Sequence, residues 1–326
     1  MTSLCASPWV LETRDKYALG KYEILEWKHI ESDSSIQLCP QMGASILQLR
    51  LQGQDLLRSD VTEEDFLTNP YYRGRFLFPF NDRIPDGQYL YGGHRHQLLC
   101  NDLDADGAIH GLVHDQPFEV IDSILDDDDA KISLYHIIHK EQHQGYPFSI
   151  SLKIDVHLAP DHCILKFEVE NHDDGPAPFS LGWHPYFSMQ GCSIDDCHLQ
   201  CDALAYVDID ENLMPTGALL PTKGGAYDFD TPKSLKNAQL DMALMREITP
   251  SKTISSASLF HKQRSIHITT EGALFPFTQL FIPPERDSIA IEPITSPTNA
   301  FNQHHLGLMT LAPHEKMKGQ VSITTE

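Results

Sequence analysis

Basic residues are scarce in this chain: 24 Lys and Arg stand against 46 Asp and Glu, a formal net charge of −22. Nucleic-acid phosphates are held by clustered Lys and Arg that displace counterions, so this deficit argues against a general nucleic-acid binder. It also disfavours attachment to an anionic membrane surface. Long hydrophobic runs are missing as well, and no apolar stretch approaches the roughly 20 residues needed to span a bilayer. The opening MTSLCASPWVLETRDKYALG has no basic segment followed by an apolar core, which predicts no secretory leader. Cysteine is sparse and scattered. The seven thiols, at 5, 39, 100, 163, 192, 197 and 201, are an odd number in a chain of 326 residues. Such a chain is too long to need stapling, and free thiols in a reducing cytoplasm are expected.

Several chemistries lack their signatures. There is no Gly-x-x-x-x-Gly-Lys and no Gly-x-Gly-x-x-Gly to cradle a phosphate or dinucleotide, so no cofactor is expected. No Gly-x-Ser-x-Gly elbow presents a nucleophilic serine. Histidines are plentiful, 18 in all, and gather at His94/His96, His110/His114 and Cys192/Cys197/His198/Cys201. None of these groups has the paired spacing of a zinc site, so no metal is expected.

What is present is ordinary globular composition, with 41% hydrophobic and 21% charged residues. Apolar side chains alternate with polar ones at period two. The clearest run is Phe148, Ile150, Leu152, Ile154, Val156 and Leu158, interleaved with Ser149, Ser151, Lys153, Asp155 and His157. A helix would scatter these apolar groups around its circumference, whereas a strand puts them on one face. After the turn Ala159-Pro160-Asp161-His162, alternation resumes at Cys163, Leu165, Phe167 and Val169, which predicts a hairpin. Shorter strand signals recur at 132–138, 257–260, 265–270, 277–282, 287–292 and 319–324. Helical signals are few: a capped turn at Thr62–Leu67, and a second short helix within 234–246. The acidic run Asp126–Asp129 reads as a solvated hairpin tip, since calcium needs spaced oxygen ligands. Strand hairpins without βαβ alternation predict an all-β fold, a large antiparallel β-sandwich. No repeat or flexible linker interrupts the pattern, so a single domain over 1–326 is expected.

Two segments each set a titratable side chain before a proline: Leu181-Gly182-Trp183-His184-Pro185-Tyr186-Phe187 and Ile289-Ala290-Ile291-Glu292-Pro293-Ile294. Proline restricts the residue before it to extended angles, so His184 and Glu292 have little main-chain freedom. Aromatic neighbours favour the neutral imidazole. A carboxylate at the end of an apolar strand is costly unless something uses it. On these features alone the two residues suit either general acid–base work or an ordinary core histidine and strand-end carboxylate.

An ordered set of segments resembles the aldose 1-epimerase (galactose mutarotase-like) family. It comprises Pro79-Phe80-Asn81-Asp82-Arg83-Ile84 followed by Gly87-Gln88-Tyr89, His110-Gly111-Leu112, His184-Pro185-Tyr186-Phe187, Gln239-Leu240-Asp241, Gln279-Leu280-Phe281, and Glu292-Pro293 leading to Ala300-Phe301-Asn302. The resemblance implies a supersandwich with a sugar in an open cleft. It implies that His184 is the general acid toward the pyranose ring oxygen and Glu292 the base on the C1 hydroxyl. It places Asn81, Arg83, His110, Asp241 and Gln279 around the substrate. The implied partner is a small free aldose, in a cytoplasmic protein; a homodimer is left open. The rival reading is a non-catalytic carbohydrate-binding sandwich. Two departures stand out: Asp82 separates Asn81 from Arg83, a pair the family keeps contiguous, and Gly111-Leu112-Val113-His114 replaces a double glycine. The nearest candidate for a sugar phosphate is Arg73-Gly74-Arg75, and a neutral sugar is the stronger expectation.

Overall fold

In the computed structural model the period-two segments are strands. The structure describes residues 7–14, 22–58, 62–102, 105–126, 129–247 and 253–326. Among them are 28 short strands, one α-helix and two 3-10 turns. No helix among the described residues is long and apolar enough to cross a membrane.

The hairpin expected after Phe148 is formed by Ile150–Leu158 and His162–Asn171, with Leu158 opposite Cys163. Ile150, Leu152, Ile154, Val156 and Leu158 are buried, while Lys153, Asp155 and His157 are half-exposed. This hairpin forms the third and fourth strands of a nine-stranded antiparallel sheet. Its order is Glu119–Leu125, Ala130–Ile138, Ile150–Leu158, His162–Asn171, Lys316–Thr325, Arg264–Glu271, Ile254–His261, His198–Cys201 and Lys233–Ser234. A second sheet runs Pro215–Pro221, Ala205–Ile209, Asp241–Met245, Phe277–Phe281, Ile289–Ile294, Gly182–Trp183 and Phe76–Leu77, with Tyr186–Phe187 also pairing on Ile289–Ile294. The inward side chains of both sheets share one apolar core. Phe76 of the second sheet meets Phe167 of the first edge-on at 5.9 Å between ring centroids. Full burial of each such side chain contributes roughly 1.5–3 kcal/mol.

The helix is Glu63–Thr68, one residue beyond the predicted turn at its C-terminal end. It is closed by a reciprocal cap in which Thr62 Oγ1 accepts from Asp65 N–H and the Asp65 carboxylate accepts from Thr62 N–H. The second helix, expected within 234–246, does not form. That segment holds the strand ends Lys233–Ser234 and Asp241–Met245 instead. Leu, Met, Ala, Gln and Lys are good helix formers, but pairing of Asp241–Met245 with Phe277–Phe281 overrides local preference. Of the acidic run, residues 127 and 128 lie outside the described residues; Lys131 Nζ reaches Asp129 at 2.9 Å.

Candidate active site

Loops and strand ends above the outer face of the second sheet enclose a cleft of about 420 Å³, a size suited to a small molecule. Its floor follows from strand register. Ala243 lies opposite Gln279, and Gln279 lies opposite Glu292. Cross-strand partners share a face, and so do residues two apart. Asp241, Gln279 and Glu292 therefore project from the same side and line the cleft together. Gln279 Nε2 donates to Asp241 Oδ1 at 2.9 Å.

His184 arrives by the same logic. Gly182 is paired with Ile294, and Tyr186 with Ala290. Counting inward from both ends sets His184 opposite Glu292. Pro185 has no N–H to donate, which interrupts the ladder between the two short strands. The ends of His184 are secured elsewhere: its N–H donates to the Arg75 carbonyl at 3.0 Å, and its carbonyl accepts from Gly74 N–H at 2.9 Å. The Tyr186 ring lies parallel to the imidazole, 9° apart in plane, with centroids at 5.0 Å.

His184 Nδ1 stands 3.5 Å from Glu292 Oε1. That is ion-pair range, but Nδ1 forms no hydrogen bond. Both side chains are almost wholly buried, at 8% and 4% exposure. Burial pushes the Glu292 carboxyl well above the usual carboxylate range, and the charges of Asp82 and Asp241 push it further the same way. Burial also pushes the His184 imidazole well down, helped by His110 and Arg73. Desolvation thus opposes charge on both groups in the sugar-free cleft.

The other predicted residues fall into two groups. His110, Arg83, Asp241 and Gln279 line the cleft with His184 and Glu292. Asn81 does not; it is buried behind the wall, where its side-chain amide donates to the Ser296 carbonyl at 2.8 Å. Its own carbonyl receives His110 Nδ1 at 2.9 Å, so Nδ1 is the protonated nitrogen and Nε2 is left as an acceptor. Burial pushes His110 below the usual histidine range. Its ring meets that of His184 edge-on at 5.4 Å.

Residues 81–83 form no strand, so Asp82 does not shift an alternating pattern. Asp82 and Arg83 both line the cleft. Asp82 is fixed through Arg83 N–H at 2.6 Å and Thr298 Oγ1 at 2.5 Å. Arg83 Nε donates to the buried Asp102 carboxylate at 2.6 Å. Asp241 is open to solvent across the cleft mouth. Wall atoms packed around the rest of its carboxyl, and then the Asp82 charge, push it up to about 6; water at the open side screens part of that effect.

Sequence reading did not find Asp102, Tyr72 or Thr298, all of which line the cleft. Each sits in a short irregular segment with no motif, and only the fold shows what it touches. Arg75 is ruled out as a phosphate ligand. Its guanidinium is buried and donates to the Met42, Phe66 and His114 carbonyls and to Ser45 Oγ. Among the described residues no three His, Cys, Asp or Glu side chains gather in a metal-holding group.

Known proteins share this architecture. The galactose mutarotase-like protein of Clostridium acetobutylicum superposes with a TM-score of 0.84, over 98% of this chain and 99% of that one, at 19% identity. Galactose 1-epimerase of Lactobacillus acidophilus superposes at 0.80, over 98% and 99%, with 20% identity. In sequence, the Escherichia coli protein YihR is 26% identical over 80% of this chain and 81% of its own length. Mouse galactose mutarotase is 24% identical over 59% of this chain and 57% of its own, so that match spans little more than half of the mouse protein. The aldose 1-epimerase family model matches residues 31–324. A match that spans the cleft and both sheets settles the relationship: the chain belongs to the aldose 1-epimerase family.

Proposed function

We propose that this protein is a mutarotase that interconverts the α and β anomers of a free, uncharged aldose by acid–base ring opening and closure. The observation that carries the reading is the 3.5 Å approach of His184 Nδ1 to Glu292 Oε1 in a cleft of sugar size. In a pyranose the C1 hydroxyl and the ring oxygen are bonded to the same carbon. The acid and the base must therefore stand side by side rather than face each other across the ring.

Glu292 takes the proton from the C1 hydroxyl while His184 protonates the ring oxygen. The C1–O5 bond breaks and the C1 oxygen becomes the aldehyde carbonyl. After rotation about C1–C2, the O5 hydroxyl attacks the other face of the aldehyde, and the two groups exchange roles. Protons and electrons balance over the cycle. Burial disfavours charge on both groups, and a C1 hydroxyl donating to Glu292 favours its carboxylate; the step starts from the Glu292 carboxylate and the His184 imidazolium. Each such group is worth about 10²–10⁴-fold, and holding the sugar adds to this by orientation. Arg83 and Asp241 supply the planar donors and acceptors that a hydroxyl array needs. The lining carries Asp82, Asp102, Asp241 and Glu292 against Arg83, which is already paired with Asp102, and this favours an uncharged sugar over a phosphorylated one.

The test is anomer exchange by NMR across a panel of aldoses. Faster exchange than in buffer for at least one sugar supports the proposal. Sugar-dependent thermal stabilisation with no acceleration would instead identify a carbohydrate binder.

A further inference from the structure

Away from the cleft, the strands Ile254–His261 and Arg264–Glu271 are joined by the two-residue turn Lys262-Gln263. His261 and Arg264 are cross-strand partners at that turn, so their side chains leave the sheet on the same face. Cys192, in the loop that follows Tyr186–Phe187, rests against both. Its Sγ stands 3.2 Å from His261 Nδ1. Arg264 Nη2 stands 3.4 Å from the sulfur and 3.4 Å from the same ring nitrogen. All three pairs of groups are in contact.

A guanidinium only donates, so the ring nitrogen it faces carries the lone pair. The Cys192 thiol can give its hydrogen to that nitrogen; the Gln190 carbonyl, the other acceptor on it, is farther away at 3.7 Å. Burial, and then the charges of Lys262 and Arg264, hold His261 below the usual histidine range, so the imidazole is neutral and open to a proton. Among the described residues Arg264 forms no ion pair with a carboxylate, and its charge is directed at the sulfur. A base within hydrogen-bond reach and a cation beside the sulfur are the surroundings that activate a thiol. The other described thiols lack them. Cys39, Cys163, Cys197 and Cys201 are buried, and burial pushes each of them up. Cys100 is exposed but has no hydrogen bond to a base.

We propose that Cys192 is an oxidation site for small hydroperoxides, with His261 as the base and Arg264 as the charge partner of the thiolate. His261 Nδ1 takes the thiol proton and the sulfur attacks the terminal peroxide oxygen. The S–O bond forms as the O–O bond breaks. Sulfur gives up two electrons and becomes the sulfenic acid. The hydroperoxide is reduced to the alcohol, or hydrogen peroxide to water, and the proton on His261 passes to the leaving oxygen. Thiol and hydroperoxide thus balance sulfenic acid and alcohol with no further reactant. The sulfur is half-exposed, which admits an oxidant of this size. The inference stands independently of the mutarotase reading.

The test uses the full chain, fully reduced, given less than one equivalent of hydrogen peroxide in the presence of dimedone, which traps sulfenic acids. Peptide mass spectrometry then compares Cys192 with Cys100. Cys192 should carry on the order of tenfold more label than the more exposed Cys100. His261→Asn and Arg264→Gln should each bring that ratio down toward one. If His261→Asn fails to fold, Arg264→Gln, at a half-exposed position, still decides. Labelling that follows exposure, with Cys100 equal to or ahead of Cys192, would overturn the proposal. So would an excess at Cys192 that survives in either folded variant.

Discussion

His184 and Glu292 face each other because two short strands, interrupted at Pro185, continue a single register along Ile289–Ile294. The juxtaposition is therefore set by backbone pairing, and either side chain can be changed without disturbing that register. Glu292→Gln and His184→Asn keep shape while removing one proton-transfer role. Each is expected to lower kcat for anomer exchange by about 10²–10⁴-fold, with circular dichroism and Tm close to wild type. Because the pair acts as a unit, the double variant should be little worse than the poorer single one. Wild-type exchange in either single variant would remove the assigned roles.

Asp82 contributes to the pH response. Burial first, and then Asp82 and Asp241, hold the Glu292 carboxyl up; burial first, and then Asp82, holds Asp241 up to about 6. Loss of a neighbouring negative charge makes ionisation easier, so both groups should titrate lower in Asp82→Asn. The acid limb of kcat/KM should then move to lower pH. A limb that stays in place, or moves upward, contradicts this electrostatic account. Thr298, which donates to Asp82, should give a smaller shift in the same direction when changed to Val only if it alters the position of the Asp82 carboxylate.

Arg83 and Asp102 are joined at 2.6 Å, with Asp102 nearly buried and Arg83 a quarter exposed. The carboxylate, itself part of the cleft lining, thus fixes the guanidinium beside it. Arg83→Gln should raise KM more than it lowers kcat. Asp102→Asn should reproduce that split, since a neutral amide holds the guanidinium less firmly. The double variant should add little to Arg83→Gln alone. Additive effects would mean that Asp102 acts through something other than Arg83.

Most of the sandwich was legible because period two is a local property: 148–158 reads as a strand without knowledge of its partners. Asp241–Met245 was misread because its residues favour a helix and its pairing partner is distant in sequence. The proline-flanked His184 and Glu292 stood out by sequence context, yet their separation depended on register that no local pattern encodes. Asn81 carried the right motif and still faces away from the cleft, since residues 81–83 follow no strand alternation. Arg75 suits an anion by charge and sequence neighbours, but distant main-chain carbonyls that no local pattern encodes occupy its guanidinium.

Gly74 ties the backbone to the chemistry. It has φ +72°, and a Cβ there would lie 2.1 Å from the Ile46 carbonyl oxygen, while its N–H holds the His184 carbonyl. Gly74→Ala thus combines left-handed backbone strain with a clash against main chain that cannot swing aside. A loss of roughly 2–4 kcal/mol is expected from denaturant unfolding. The control is Gly224→Ala, at φ +74° with nothing within 4 Å of the added Cβ. It carries the strain alone and should cost about 1 kcal/mol. Because Gly74 positions His184, its variant should also lose turnover at temperatures where it remains folded, whereas Gly224→Ala should exchange anomers at the wild-type rate. If the folded Gly74→Ala protein keeps full kcat, the backbone tie to His184 has no part in catalysis.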